Sequence, residues 1–199
     1  MRVIVGLGNP GREYEGSRHN AGFLVVAGLA DGCGIKLSAG RGDFMMGKGR
    51  MGGAHVALVM PLTYMNSSGL AVAQALEQTG STVEELLVVC DDVDLPLGQL
   101  RIRAAGSDGG HRGLASVAAS TGTQEFARLR LGVGRPPDGD DTAGFVLEEF
   151  SGDEGPAVEE MVASAVEAVR VMQRDGIERA MTIFNRRISP AAGGESREE

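Results

Sequence analysis

The chain has 199 residues, 42% hydrophobic and 23% charged, with a net charge of −8. This is enough for one well-buried core, and a single α/β domain over residues 1–188 is expected. No run of eighteen apolar residues occurs and Met1-Arg2 leads straight into Val3-Ile4-Val5, so neither a membrane-spanning helix nor a targeting segment is expected, and a cytoplasmic location is.

In chain order, residues 3–7 form a short apolar run ending in glycines and predict a buried strand. Residues 20–30, with Phe23, Leu24, Val26, Ala27 and Ala30, predict a helix ended by Asp31-Gly32. Residues 43–60 predict a hairpin turning at Gly52-Gly53. Asn66 or Ser67 can cap a helix through Val72, Leu76 and Gln78 that Gly80 closes. Residues 86–90 predict a second buried strand, and residues 99–103 alternate like a half-exposed one. Residues 111–120 predict a short helix entered through Gly109-Gly110, and residues 129–133 the last strand. Residues 136–155, rich in Pro, Gly, Asp and Glu around the short apolar piece 145–147, predict a surface connection carrying one short helix. Residues 157–174 place Val158, Met161, Val162, Ala165, Val166, Val169 and Met172 on one face, an amphipathic packing helix, and a further helix follows at 177–184. The tail, residues 189–199, lacks hydrophobic anchors and is expected to be disordered. Strand-turn-helix units followed by a terminal helical pair predict a mixed sheet flanked by helices.

The charge is unevenly spread. Residues 1–135 hold 13 Lys+Arg against 12 Asp+Glu, a net of +1, whereas residues 136–199 hold 6 against 15, a net of −9. Six arginines (101, 103, 112, 128, 130 and 135) fall within residues 101–135, where the only carboxylates are Asp108 and Glu125. Such a cluster can meet phosphates on an otherwise acidic protein; it can equally be six solvated side chains on several faces. Cys33 and Cys90 sit in unrelated contexts and are expected to be reduced thiols. With three histidines at no ligand spacing, no metal site is expected.

Gly6-Leu7-Gly8-Asn9-Pro10-Gly11 after a strand has the spacing of a dinucleotide fingerprint, but the polar stretch 12–18 follows it where that unit needs a helix. The glycines are better read as letting the backbone turn so that Asn9 projects from the sheet edge. His19 stands at a helix entry off any apolar stripe. Asp91, Asp92 and Asp94 close the second buried strand, at the edge where α/β proteins place their sites. Asp91 suits a histidine partner, whose tautomer it would fix and whose imidazolium it would stabilise. The same triplet could cap or hold magnesium, although its loop lacks further ligands. No G-x-S-x-G elbow or other nucleophile is present, so a His–Asp pair points to an activated water and hence to hydrolysis.

Five segments, Gly6-Leu7-Gly8-Asn9-Pro10-Gly11, Arg18-His19-Asn20-Ala21-Gly22, Pro61-Leu62-Thr63-Tyr64-Met65-Asn66, Asp91-Asp92-Val93-Asp94-Leu95-Pro96 and Gly109-Gly110-His111-Arg112-Gly113-Leu114, in this order and spacing, resemble the bacterial peptidyl-tRNA hydrolase family from Val3 to about Arg187. The resemblance implies a monomer with a cleft at one edge of a mixed sheet. It also implies hydrolysis of the ester joining a peptide to tRNA without metal or organic cofactor. It makes His19 the general base, Asp91 its orienting partner, and Asn9 the residue that helps distinguish N-blocked substrates. Asn66 becomes a positioning group between Tyr64, Met65 and the pocket, Tyr14 a tRNA contact, and Arg101, Arg103 and Arg130 the basic residues facing the acceptor end. One position departs from the pattern: Arg112 stands where the family more often has Asn, and arginine is far longer and cannot accept a hydrogen bond. It is expected to meet a tRNA phosphate. The competing expectation is a catalytically silent RNA-binding relative of the same fold.

Overall fold

Val3, Ile4 and Val5 are wholly buried because their strand, β1 (Arg2–Gly6), lies inside the sheet between two parallel neighbours. The protein is described by a computed structural model covering residues 1–136 and 141–185. The expected tail at 189–199 lies outside the described residues, as do positions 137–140 of the expected surface connection.

Among the described residues the sheet has seven strands. After β1 come β2 (Ser38–Ala39), β3 (Phe44–Met51), β4 (Ala54–Pro61), β5 (Leu86–Asp92), β6 (Leu100–Arg103) and β7 (Ala127–Gly132), in the spatial order β2-β3-β4-β1-β5-β7-β6. The four central strands are parallel, and β3 and β6 add antiparallel flanks, giving the mixed sheet that the element pattern predicted. Alternation along the strands splits the core in two. Ile4, Leu58, Val89 and Leu129 pack with α1 (Ala21–Cys33) and, beyond the loop helix α4 (Thr142–Phe145), with α5 (Gly155–Asp175) and α6 (Ile177–Phe184). Val3, Val5, Val59 and Val88 pack with α2 (Ser68–Thr79) and α3 (Arg112–Thr121).

Several boundaries move. The two-residue β2 is too short to leave a periodic signal. α1 runs past Asp31-Gly32 and is closed by Gly34 at φ +62°. Neither Asn66 nor Ser67 caps α2 through its side chain; a 3₁₀ turn, Met65–Ser67, feeds the helix instead, and Ser68 donates to the Met65 carbonyl at 2.9 Å. The short helix expected within residues 136–155 is Thr142–Phe145, capped by Asp141. β5 continues two residues further, so that Asp91 and Asp92 are strand residues and not loop residues.

The glycines after β1 act through close approach. A Cβ on Gly22, in the first turn of α1, would lie 2.5 Å from the Val89 carbonyl oxygen and 2.6 Å from the Leu7 amide nitrogen, and one on Gly6 would lie 2.2 Å from the Gly22 carbonyl oxygen. Gly6 and Gly8 keep negative φ, which corrects the turn argument: of this motif only Gly11, at φ +113°, occupies the region that favours glycine. Their absent side chains bring the start of α1 onto the ends of β1 and β5. Because the clash is with backbone on both strands, Gly22→Ala is expected to lower stability by about 1–3 kcal/mol. Urea denaturation would measure it, and an unchanged midpoint would contradict this account.

Candidate active site

β1 and β5 are parallel neighbours, so the residues that leave them, Asn9 and Asp91-Asp92, arrive at the same sheet edge. There they border a cleft of about 620 Å³ with Tyr14, His19, Tyr64, Met65, Asn66, His111 and Arg112 on the walls and Asp141, Thr142, Ala143, Val146 and Leu147 on the far bank. The fold thus gathers Asn9, Tyr14, His19, Tyr64, Met65, Asn66, Asp91 and Arg112 around one space, and leaves Arg101, Arg103 and Arg130 outside its lining. No Ser or Cys lines it among the described residues.

At its centre is a carboxylate between two imidazoles. His19 Nδ1 lies 2.8 and 2.9 Å from the two Asp91 oxygens, and His111 Nε2 lies 3.0 Å from Oδ1. Asp91 is 2% exposed. Burial works against its ionisation, but the facing His111 and His19 outweigh burial and hold the carboxyl well below the usual carboxylate range. An ionised Asp91 accepts from both rings. His111 Nδ1 in turn accepts from the backbone amides of Gly113 and Leu114, at 3.1 and 3.3 Å, so the imidazole is the N-cap of α3. The hydrogen-bond network therefore assigns His111 as the neutral ring with its proton on Nε2, both nitrogens committed. His19 differs: its Nδ1–H is committed to Asp91, while Nε2, across the ring, is left for the cleft that the side chain lines.

Sequence reasoning passed over His111, placing it only at a Gly-rich helix start. The available signal was a histidine immediately before a helix, where a ring nitrogen can accept from the first turn. Asn20 was also passed over. It is 3% exposed, and its side chain brackets the backbone of Asn9, accepting from the Asn9 amide at 2.8 Å and donating to the Asn9 carbonyl at 3.0 Å. Asn9 Oδ1 accepts from the Met65 amide at 2.8 Å. That bond fixes the amide orientation and leaves Nδ2 as the donor for the cleft. Met65 is buried, Asn66 exposed, Tyr14 half-buried, and Tyr64 stands 61% exposed at the rim.

The histidine is also held from behind. Arg18, 6% exposed, makes a two-pronged bond to Glu154 at 2.9 and 2.8 Å and lies over the rings of Phe145 and Phe150. The His19 amide donates to the Val146 carbonyl at 2.8 Å and the Arg18 amide to the Glu148 carbonyl at 3.0 Å. The far bank is thus tied by backbone to the turn that carries His19.

The six arginines do not share one fate. Arg128 is 1% exposed and structural: it donates to the carbonyls of Gln124 and Ser107, at 2.7 and 3.0 Å, and to those of Phe126 and Gly106. Arg130 turns inward to Asp92 and to the 107–108 backbone. Arg135 pairs with Asp94 at 2.5 Å on the surface. Arg103 and Arg112 are exposed and Arg101 is half-buried.

The fold also gathers ligand-type atoms that are far apart in sequence. His19, Asp91 and His111 each bring one within 4.8 Å of the others. Both imidazole protons are directed at the carboxylate and the remaining His111 nitrogen at backbone amides, so these donors are spent on one another. An imidazole oriented by a buried carboxylate, beside amide donors in an open cleft, suits a hydrolase acting on a carbonyl ester.

Comparison with known proteins gives the class its substrate. The family model described as peptidyl-tRNA hydrolase matches residues 3–191. The peptidyl-tRNA hydrolase of Carboxydothermus hydrogenoformans is 46% identical over 186 residues, 94% of this chain and 99% of that protein. The one from Lachnoclostridium phytofermentans is 43% identical, covering 94% and 98%. Among solved structures, peptidyl-tRNA hydrolase from Acinetobacter baumannii superposes with a TM-score of 0.87 at 34% identity, covering 93% of this chain and 94% of its own. The purine nucleoside phosphorylase of Toxoplasma gondii, at TM-score 0.52 and 10% identity, shares the fold alone. The chain belongs to the peptidyl-tRNA hydrolase family, and its activity is hydrolysis of the ester between peptide and tRNA.

Proposed function

We propose that His19 Nε2 removes a proton from the attacking water, that Asp91 keeps the His19 proton on Nδ1 and stabilises the imidazolium that forms, and that the Asn9 amide donates to the ester carbonyl or to the blocked peptide nitrogen's neighbouring carbonyl. The observation that carries this reading is the Asp91 carboxylate bonded to His19 Nδ1 at 2.8 Å, which leaves one ring nitrogen on the cleft side. Asn66 at the rim positions the substrate, Met65 and Tyr64 contribute wall, and no step is routed through a metal or organic cofactor. The ester oxygen that leaves as a ribose hydroxyl takes the proton back from the imidazolium, which restores the resting base. The test is turnover of N-acetyl-aminoacyl-tRNA. Binding without turnover would favour the silent RNA-binding alternative, which the complete His19–Asp91 pair disfavours.

The protein works as a cytoplasmic monomer that holds its substrate's acceptor end through Arg101 and Arg103, with Tyr14 and Arg112 nearer the cleft. In the described residues no helix is long and apolar enough to cross a membrane. Affinity for tRNA should fall with rising salt, and Arg101→Ala should weaken it and lower the salt slope by about one. Filter binding across a salt series measures both, and a salt-independent affinity would reject the phosphate contact.

A further inference from the structure

β6 is an edge strand of four residues, paired with β7 on one side only. Its alternation buries Leu100 and Ile102 in the core and places Arg101 and Arg103 together on the opposite face. Among the described residues neither guanidinium pairs with a carboxylate, so their placement follows the strand backbone. On the open side of β6 the backbone of Ile102 points away from β7, where an edge strand ordinarily meets water. Asn185, the residue that follows α6, occupies that place. Its Oδ1 accepts from the Ile102 amide at 2.6 Å, and its Nδ2 donates to the Ile102 carbonyl at 3.0 Å. One planar amide thus supplies the acceptor and the donor that a residue of a neighbouring strand would supply. Asn185 is itself seated. Its own amide donates to the Met181 carbonyl at 3.1 Å, and Ile177, Met181 and Phe184 pack on the core that holds Ile102. None of Arg101, Arg103 and Asn185 lines the cleft.

We propose that Asn185 is a positioning residue for tRNA: by closing the open edge of β6 it holds Arg101 and Arg103 in the arrangement that meets the acceptor end. This rests on the reading above that these two arginines contact tRNA phosphates. Without Asn185 the short strand keeps its ladder to β7 but loses the pair of hydrogen bonds on its outer side. The arrangement competent to bind is then one of several, and affinity scales with the fraction of molecules that hold it. A plain edge cover and a positioning residue predict different results. An edge cover supports stability and leaves tRNA affinity alone. A positioning residue acts on tRNA, and only through the arginines it holds.

The test uses Asn185→Leu, which keeps the volume, adds no charge and removes both hydrogen bonds. It is compared with the wild type, with Arg101→Ala/Arg103→Ala, and with the variant that combines all three changes. Substrates are N-acetyl-aminoacyl-tRNA and the same blocked amino acid esterified to a short CCA oligonucleotide. The expected result for Asn185→Leu is a rise in KM for the full-length substrate of about 3- to 10-fold, the factor that one net hydrogen bond commands. Its kcat should be unchanged, as should both constants on the short substrate, and the Ile102 amide should exchange faster with solvent. In the background lacking both arginines, Asn185→Leu should add no further loss, because coupled positions are not additive. Asn185→Ala keeps the test decisive if Asn185→Leu fails to fold. Faster exchange at Ile102 with an unchanged KM for full-length tRNA would overturn the inference and make Asn185 an edge cover alone. A fall in kcat on both substrates would overturn it too, as damage to the whole site. Wild-type KM in Arg101→Ala/Arg103→Ala would instead overturn the phosphate reading, and the inference with it.

Discussion

His19→Ala is expected to lower kcat for N-acetyl-aminoacyl-tRNA by about 10²–10⁴-fold, the usual contribution of a general base. The geometry leaves no substitute. His111 is the second imidazole on the cleft, 5.1 Å from His19 between ring centroids. One of its nitrogens donates to Asp91 and the other accepts from the first turn of α3, so it has no free lone pair with which to activate water. The cleft offers no Ser or Cys among the described residues that could bypass the base by direct attack. Binding should survive, because the residues proposed to meet tRNA lie outside the imidazole pair. Single-turnover rates at saturating enzyme separate the two effects, and a variant that retains wild-type rates would remove His19 from the mechanism.

Asp91→Asn should be nearly as damaging, by about 10²–10⁴-fold, although it changes hardly any volume. The carboxylate accepts from two ring nitrogens; an amide has one oxygen and two protons, so one imidazole must face a donor with a donor. His111 is held by its cap on α3, which leaves His19 to yield. Its proton then moves to Nε2, and the lone pair on the cleft side is lost. Stability gives an independent readout. Since folding lowers the Asp91 pKa, chiefly against burial and through His111 and His19, its ionised form adds stability above the ordinary carboxylate range. That contribution is lost as pH falls through the depressed folded value. Wild-type stability should therefore drop more steeply than that of Asp91→Asn as pH falls below the ordinary carboxylate range. Parallel denaturant titrations at graded acidic pH would show it; equal slopes would contradict the assignment, as would an unchanged kcat.

Much of this was legible in the sequence, for reasons that can be named. Buried parallel strands leave continuous apolar runs, so β1 and β5 stood out, and the carboxylates after β5 marked the edge where the site lies. The Asp91 partner was inferable because a histidine near a sheet edge needs an orienting group. The His111 contact was not, because it depends on how far a double-glycine turn swings the ring, and no local pattern encodes that. Counting arginines could not separate Arg128, which satisfies a buried loop's carbonyls, from Arg103, which faces solvent. Cross-strand register decides between them: Arg103 sits opposite Arg128 and Arg101 opposite Arg130 across the β6–β7 ladder, yet only the β7 members have loop carbonyls above them. The glycine motif after β1 was read for its turn, whereas its main demand came from a helix 16 positions later in the chain.

The fork between Arg18 and Glu154 closes a loop of 136 residues. The catalytic turn is synthesised well before the group that pins it. Closures of that span come late in folding, after the local helices and hairpin have formed. A nascent copy of this enzyme is itself a peptidyl-tRNA, and until Glu154 has been made its catalytic turn lacks the fork that pins Arg18. An incomplete copy therefore lacks one of the contacts that hold the turn carrying His19.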